Sequence, residues 1–188
     1  MAADEPRRRG DTRERIREVA MELFAEQGYD KTSLREIAER LGVTKAALYY
    51  HFKSKEDIVA SAFDDFLAEV ERIVAWGQEQ PRTAETRREL VRRYSRLVRG
   101  KWTTIVRFVQ ENQTAVRELR SQEALKARFI RLARLLSIPD APPALQLKSR
   151  IALITLQAGP FITEDLGMTE RQRHDLALQV ALELVSGE

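Results

Sequence analysis

The residues of this chain whose types and spacing could do chemistry lie between Thr32 and Lys55, in the run TSLREIAERLGVTKAALYYHFKSK. Lys45 can donate to guanine O6 or N7, and the methyls of Ala46 and Ala47 can touch thymine methyls. Tyr49, Tyr50, His51 and Lys55 follow in the same run. From Lys31 to Lys55 six bases (Lys31, Arg35, Arg40, Lys45, Lys53, Lys55) face two acids (Glu36, Glu39), a local balance of +4. That chemistry is recognition of double-stranded DNA. Catalysis is not expected. His51 and His174 have no His, Asp or Glu at ligand spacing, the adjacent Asp64 and Asp65 point to different sides of a helix, and no Gly-rich phosphate loop occurs. The chain has no cysteine, so thiolate chemistry, disulfides and cysteine metal sites are excluded. No catalytic residue, metal or cofactor is expected.

Two short helices and a turn must position these side chains. Ser33 and Glu36 make an S-x-x-E capping box, so a helix should begin at Leu34. Leu34, Ile37, Ala38 and Leu41 then recur on one face, with Arg35, Glu39 and Arg40 toward water. Gly42 suits a left-handed C-cap. Val43 and Leu48 flank Thr44 as a hydrophobic staple, so a second helix should start at Lys45 with Thr44 as its N-cap. A helix-turn-helix of this kind offers the first residues of its second helix to the major groove. A preceding helix, from near Arg13 with Asp11 or Thr12 as cap to Gly28, carries Ile16, Val19, Ala20, Leu23 and Phe24 as the face that packs on both. Phe52 should close this three-helix head from beneath. Arg7, Arg8 and Arg9 fall on a flexible basic arm, residues 1–12, which reads either as a solvated tail or as a segment following the DNA backbone or minor groove.

The T-S-L-R-E-I-A-E-R-L-G-V-T-K-A-A-L-Y-Y-H-F-K-S-K-E run, the L-F-x-x-x-G-Y ending at Leu23 to Tyr29, and L-Y-Y-H-F-x-x-K together resemble the DNA-binding head of the tetracycline-repressor (TetR) family of bacterial regulators. The resemblance covers about the first sixty residues; beyond them only length and helical character agree. It implies phosphate contacts from Ser33, Thr44, Tyr49 or Tyr50, His51 and Lys55, and base-edge contacts from Lys45, Ala46 and Tyr49. Thr32, Arg35 and Ala47 complete the candidate DNA-contact set. It further implies a homodimer on a palindromic operator and a small-molecule effector. A ligand-released repressor is the expected function, with an activator, or a regulator without an effector, as the alternatives.

The expected fold is all-α: a helix-turn-helix domain at 13–53 and a larger ligand-binding and dimerisation domain at 54–188. A helix capped by Ser54, with Asp57 at its third position, should run to Trp76, before Gly77 and Pro81. Its two apolar lines (Ile58, Ala62, Phe66, Val70, Ile73 and Val59, Phe63, Leu67, Val74) mean packing on two sides. From Arg82 to Arg107 nine bases face Glu85 and Glu89, a balance of +7. That stretch reads as a solvated face or as an approach for an acidic ligand such as an acyl thioester or fatty acid. Phe66, Val70, Ile73, Tyr94, Trp102, Ile105, Phe108, Val109, Phe129 and Thr155 are the candidate pocket, which suits an apolar or aromatic effector. A shorter segment should run through Val116 and Leu119. The helix from Leu145 to Ala158, apolar almost all round and stopped by Gly159-Pro160, should be covered by a partner subunit. Leu147, Ile151, Ile154, Leu176, Val180 and Leu184 on the last two helices are the candidate dimer interface. The net charge is only +3, so the local clusters are more informative than the total. Without a signal peptide or an apolar run near the ~20 residues of a membrane span, no membrane partner is expected and the location should be cytoplasmic.

Overall fold

The computed structural model describes residues 5–100, 102–112 and 122–186. Among the described residues the chain forms nine α-helices and no strand. They are α1 (Glu5–Gln27), α2 (Leu34–Leu41), α3 (Lys45–His51), α4 (Lys55–Glu79), α5 (Ala84–Arg99), α6 (Thr103–Glu111), α7 (Gln122–Leu136), α8 (Pro143–Ile162) and α9 (Glu170–Ser186). The segment expected through Val116 and Leu119 lies outside the described residues. Two compact units result: Met1–Asp65 with Arg107–Ser121, and Phe66–Val106 with Gln122–Glu188. The unit that carries the helix-turn-helix is therefore larger than residues 13–53. Helix α1 begins at Glu5, well before the expected start at Arg13, and takes in the backbone of Arg7–Arg9.

The first unit is built on aromatic and aliphatic side chains from α1, α2, α3 and the start of α4. Ile16, Ala20, Phe24, Ile37, Leu48, Phe52, Ile58 and Phe63 are all buried, which meets the periodicity of each segment. Phe108 completes this core: its ring lies 6.0 Å from Phe24, 5.5 Å from Tyr29 and 6.4 Å from Phe63, mostly edge-on. Such edge contacts add roughly 0.5–1.5 kcal/mol per pair beyond the area buried. Phe108, expected in a ligand pocket of the body, is thus a core residue of the head, and Val109 belongs to the same unit. The Arg17 guanidinium clamps α1 to α4 through Asp65 at 2.5 Å and the Ser61 hydroxyl at 3.1 Å.

In the second unit α8 packs on α9, and both pack on α5, with α7 against α8. Ala152, Leu153, Leu156, Ala177 and Ala181 form the buried seam of that sandwich. Tyr94 is buried as well, and its hydroxyl accepts a hydrogen bond from the Gln157 side-chain amide. Burial pushes the Tyr94 phenol up to about 12, the Gln157 bond acting in the opposite sense, so the ring stays neutral across the physiological range. Arg99 bridges to Asp175 at 2.6 Å and Arg131 to Glu71 at 2.9 Å, tying α5 to α9 and α7 to α4.

Two expected helix ends are overrun. Helix α4 continues through Gly77 to Glu79, and a Cβ at Gly77 would sit 2.8 Å from Leu90 Cδ2 and 3.1 Å from Leu135 Cδ1. Gly77 therefore makes room for neighbouring helices rather than breaking its own. Helix α8 passes Gly159-Pro160 and ends at Ile162. A proline this near a C-terminus disturbs only the last turns, where the Thr163 hydroxyl donates to the Gly159 carbonyl at 2.7 Å.

His174 is buried on α9. Burial lowers its pKa below the ordinary histidine value, Arg99 and Arg173 push the same way, and Glu170 and Asp175 oppose them. Between the lowered folded value and the unfolded value near 6.5 the unfolded chain binds the extra proton. Stability contributed by neutral His174 is thus complete above about pH 6.5 and is lost as the pH falls through the folded value. Thermal unfolding followed between about pH 7.5 and 5 should show His174→Gln losing less stability on acidification than the native chain. Parallel curves for the two would refute the burial of neutral His174.

Candidate nucleic-acid interface

The turn that sets α3 against α2 occupies Gly42, Val43 and Thr44. Gly42 adopts φ 68°, ψ 28°, the left-handed region that a side chain would resist. Its N–H donates to Glu39 O at 3.1 Å, and the Val43 N–H donates to Ala38 O at 3.0 Å. Those bonds satisfy carbonyls orphaned at the end of α2. One residue later Thr44 Oγ1 accepts from the Ala47 N–H at 3.1 Å and opens α3. The capping box at the start of α2 is complete: the Ser33 N–H donates to Glu36 Oε2 at 2.7 Å, and the Glu36 N–H donates to Ser33 Oγ at 3.2 Å. Bonds from the Ser33 hydroxyl and N–H hold the Glu36 carboxylate below its ordinary pKa.

The candidate DNA-contact residues divide by what their polar atoms already do. Lys45, Ala46 and Ala47 are exposed together on the first turn of α3, and Tyr50 is 63% exposed on the next. The Lys45 ammonium lies 5.4 Å from the Tyr49 ring centroid, one turn along the same helix. Thr44 accepts through its oxygen, and its hydroxyl proton has no acceptor among the described residues. Ser33 differs, since its hydroxyl also donates to Glu36 Oε2 at 2.8 Å. Arg35 is paired with Glu39 at 2.7 Å on an exposed face, a contact of the weak surface kind that an incoming phosphate can outcompete. His51 is half-buried with its ring edge-on to Tyr50, 5.3 Å between centroids.

Two candidates sit deeper than expected. Thr32 is buried, not displayed: its hydroxyl donates to Gly28 O at 2.8 Å and accepts from Gln27 Nε2 at 3.2 Å. It seals the end of α1 and is unavailable to a ligand. The Lys55 ammonium donates to Tyr29 O at 2.7 Å and stands 4.4 Å from the Tyr29 ring centroid, so one of its three protons is committed to the head. Tyr29 in turn donates to Glu56 Oε1 at 2.7 Å, and burial followed by that carboxylate raises its pKa. A residue missing from the candidate set is Lys53, exposed, with its ammonium donating to Tyr49 O at 2.9 Å. The sign that marks it is the absence of any Asp or Glu from Arg40 to Lys55.

Residues 16–62 match the family model for bacterial regulatory proteins, tetR family. The likeness to the TetR family lies in the head. KstR2 of Mycolicibacterium smegmatis, an HTH-type transcriptional repressor, is 39% identical over 67 residues, 36% of this chain and 33% of that protein. The matched segments span only 25% and 33% of the first curated relatives' own lengths. Likeness over the body comes from solved structures. The TetR-family transcriptional regulator PfmR of Thermus thermophilus is 27% identical with a TM-score of 0.66, covering 87% of this chain and 97% of that one. AibR, solved with isovaleryl coenzyme A and operator DNA, is 21% identical with a TM-score of 0.65, over 88% of this chain and 95% of its own, and shares the fold.

In the second unit the remaining candidate pocket residues do not converge. Phe66, Val70, Tyr94 and Ile105 are plain core, and the Thr155 hydroxyl donates to Ile151 O in its own helix. Phe129 is half-buried on α7. Ile73 and Trp102 do line an open groove of ≈ 470 Å³ with Arg72, Arg93, Arg96 and Leu97. Trp102 is seated edge-on to Phe66, 5.9 Å between centroids. Glu69, also in the groove wall, pairs with Arg72 at 2.5 Å, Glu89 Oε1 lies 3.0 Å from both Arg93 and Arg96, and Arg93 also stacks 3.9 Å from the Trp76 ring centroid. Among the described residues no three His, Asp or Glu come together as a metal site, and no helix is long and apolar enough to cross a membrane.

Replacing Thr32 by Val keeps its shape and removes its hydroxyl. The variant should lose about 1–3 kcal/mol of stability in urea denaturation and bind DNA normally wherever it is folded. A stable variant with weakened DNA binding would instead make Thr32 a contact residue.

Proposed function

We propose that this protein is a DNA-binding transcriptional regulator, a repressor, whose homodimer holds a palindromic operator until a small molecule occupies the body. The observation that carries the reading is the first turn of α3: Lys45, Ala46 and Ala47 lie exposed side by side behind the Thr44 hydroxyl, with no acid from Arg40 to Lys55. Small side chains let that turn enter the major groove, and Lys45 supplies a donor that distinguishes guanine. Thr44, Tyr50, His51, Lys53 and Lys55 are suited to the flanking phosphates. The repressor KstR2 and the operator complex of AibR lend support by analogy.

The pairing of two chains is supported by an apolar stripe that the single chain leaves open. On α8, Leu147 is 56%, Ile151 39% and Ile154 50% exposed, about one helical turn apart, and Val180 on the neighbouring α9 is 36% exposed. Leu176 and Leu184 lie on the same helix as Val180 and are at least partly exposed. Two copies related by a two-fold axis would cover these faces as a four-helix interface and place two heads on half-sites ~34 Å, or a multiple, apart. The effector is drawn to the basic and aromatic groove beside Trp102, which suits an anionic molecule with an apolar part. Helix α4, continuous from Lys55 to Glu79, is the covalent route by which occupancy would alter the head. Coupling of this kind is reciprocal, so operator DNA should weaken effector binding by the same factor.

Genomic fragments selected on the purified protein should contain an inverted repeat, and anisotropy titrations on that repeat test the reading. Lys45→Ala should cost ~1–3 kcal/mol and relax specificity at one base pair of each half-site; uniform weakening on every sequence would demote Lys45 to a phosphate contact. Ile154→Asp should give a monomer by sedimentation equilibrium that loses the repeat while its helix content is unchanged. A monomer that still binds the repeat with full affinity would overturn the dimeric reading.

A further inference from the structure

Arg87 differs from its neighbours on α5. Arg88, Arg92, Arg93 and Arg96 each bridge to Glu85 or Glu89, and Arg99 bridges to Asp175. Arg87 is only 7% exposed, yet its side chain has no hydrogen-bond or ion-pair partner among the described residues. A side chain so far buried, with no protein acceptor for its guanidinium, needs water or a ligand at its nitrogens. Its nitrogens are not wholly sealed from solvent, and Arg87 lines a pocket of ≈ 270 Å³ between α5, the end of α7, the start of α8 and the end of α9. Among the described residues no Asp or Glu lines that pocket. Beside Arg87 stand Ser137 and Ser149, their hydroxyls 2.8 Å apart, and the remaining wall is aliphatic, with Ile138, Leu145 and Leu184.

We propose that this pocket binds a small monocarboxylate with a short apolar body, the carboxylate on Arg87 and the body against Ile138, Leu145 and Leu184. The planar fork of a guanidinium matches a carboxylate through two parallel hydrogen bonds. The Ser149 hydroxyl, now 3.2 Å from Leu145 O, can turn its proton to a carboxylate oxygen. The aliphatic wall selects against inorganic phosphate, which would leave it facing a fully hydrated ion. At the ~30 Å³ that a water molecule occupies in the liquid, the pocket holds roughly nine such volumes. It therefore admits an acid the size of hexanoate or benzoate. This pocket shares no lining residue with the groove beside Trp102. All of it lies in the second compact unit, so the inference stands whether or not the head binds an operator.

The test is thermal unfolding of the full chain with increasing hexanoate, and with 1-hexanol as the uncharged counterpart. Hexanoate should raise the midpoint in a saturable way, 1-hexanol should not, and Arg87→Met, which keeps the apolar stem, should weaken the hexanoate response roughly tenfold or more. An absent response to both hexanoate and benzoate, or an equal response in Arg87→Met, would overturn the site. Should that variant fail to fold, methyl NMR on the native chain decides. Hexanoate must shift the Ile138, Leu145 and Leu184 methyls, and shifts confined to other methyls would overturn the proposal. Operator titrations run alongside report on the regulatory reading separately.

Discussion

Two helix ends are closed back to back within Gly42, Val43 and Thr44, and the use of α3 depends on that closure. A helix terminus leaves several backbone groups unpaired, and here the donors of Gly42 and Val43 and the acceptor of Thr44 satisfy three of them without a longer loop. Any other residue at Gly42 would have to adopt a positive φ, and any apolar residue at Thr44 would leave the Ala47 N–H uncapped. The angle at which α3 leaves α2 is thus set by backbone bonds, with Ile37, Ala38 and Leu48 buried behind them. The outward residues of α3 inherit a fixed direction from a short turn.

The head separates polar groups that hold it together from polar groups that remain available. The hydroxyl of Ser33 and the acid of Glu36 occupy each other, Thr32 is engaged at the end of α1, and Tyr29 joins Glu56 to the Lys55 ammonium. Thr44 and Lys45 stand on the other side of that division. Body charges follow a similar pattern. Glu89 serves three arginines at once, so the face of α5 keeps an excess of positive charge even though most of its guanidiniums are bridged. Arg87 escapes that network because it is turned inward, to a pocket that no acid among the described residues lines.

The helix-turn-helix was legible from the sequence because its signals are local. A capping box, a glycine and a cap threonine each act within four residues, and all lie where their spacing placed them. Helix periodicity was equally readable, since it reports that a face is buried. It does not report against what. Phe108 and Phe66 show the same apolar pattern, yet one completes the head and the other the body. Gly77 and Pro160 look like punctuation until the neighbours of α4 and the end of α8 are known. Thr32 precedes a capping serine and resembles an exposed loop residue; only the carbonyl of Gly28, brought under it by the fold, explains its burial. Arg87 is one of nine bases in its stretch, and nothing in their order reveals which of them is left without an acid.

The alanines at the front of α3 have a consequence for how such a reader can change. Ala46 and Ala47 are exposed, and their side chains take no part in the caps or the core. Substitutions at surface positions of this kind usually alter stability by no more than about 0.5 kcal/mol. On the reading of α3 proposed above, the site can be retargeted one methyl at a time, each step testing a new base contact on an unchanged scaffold. Divergence in what is recognised is, in this head, nearly independent of divergence in what is folded.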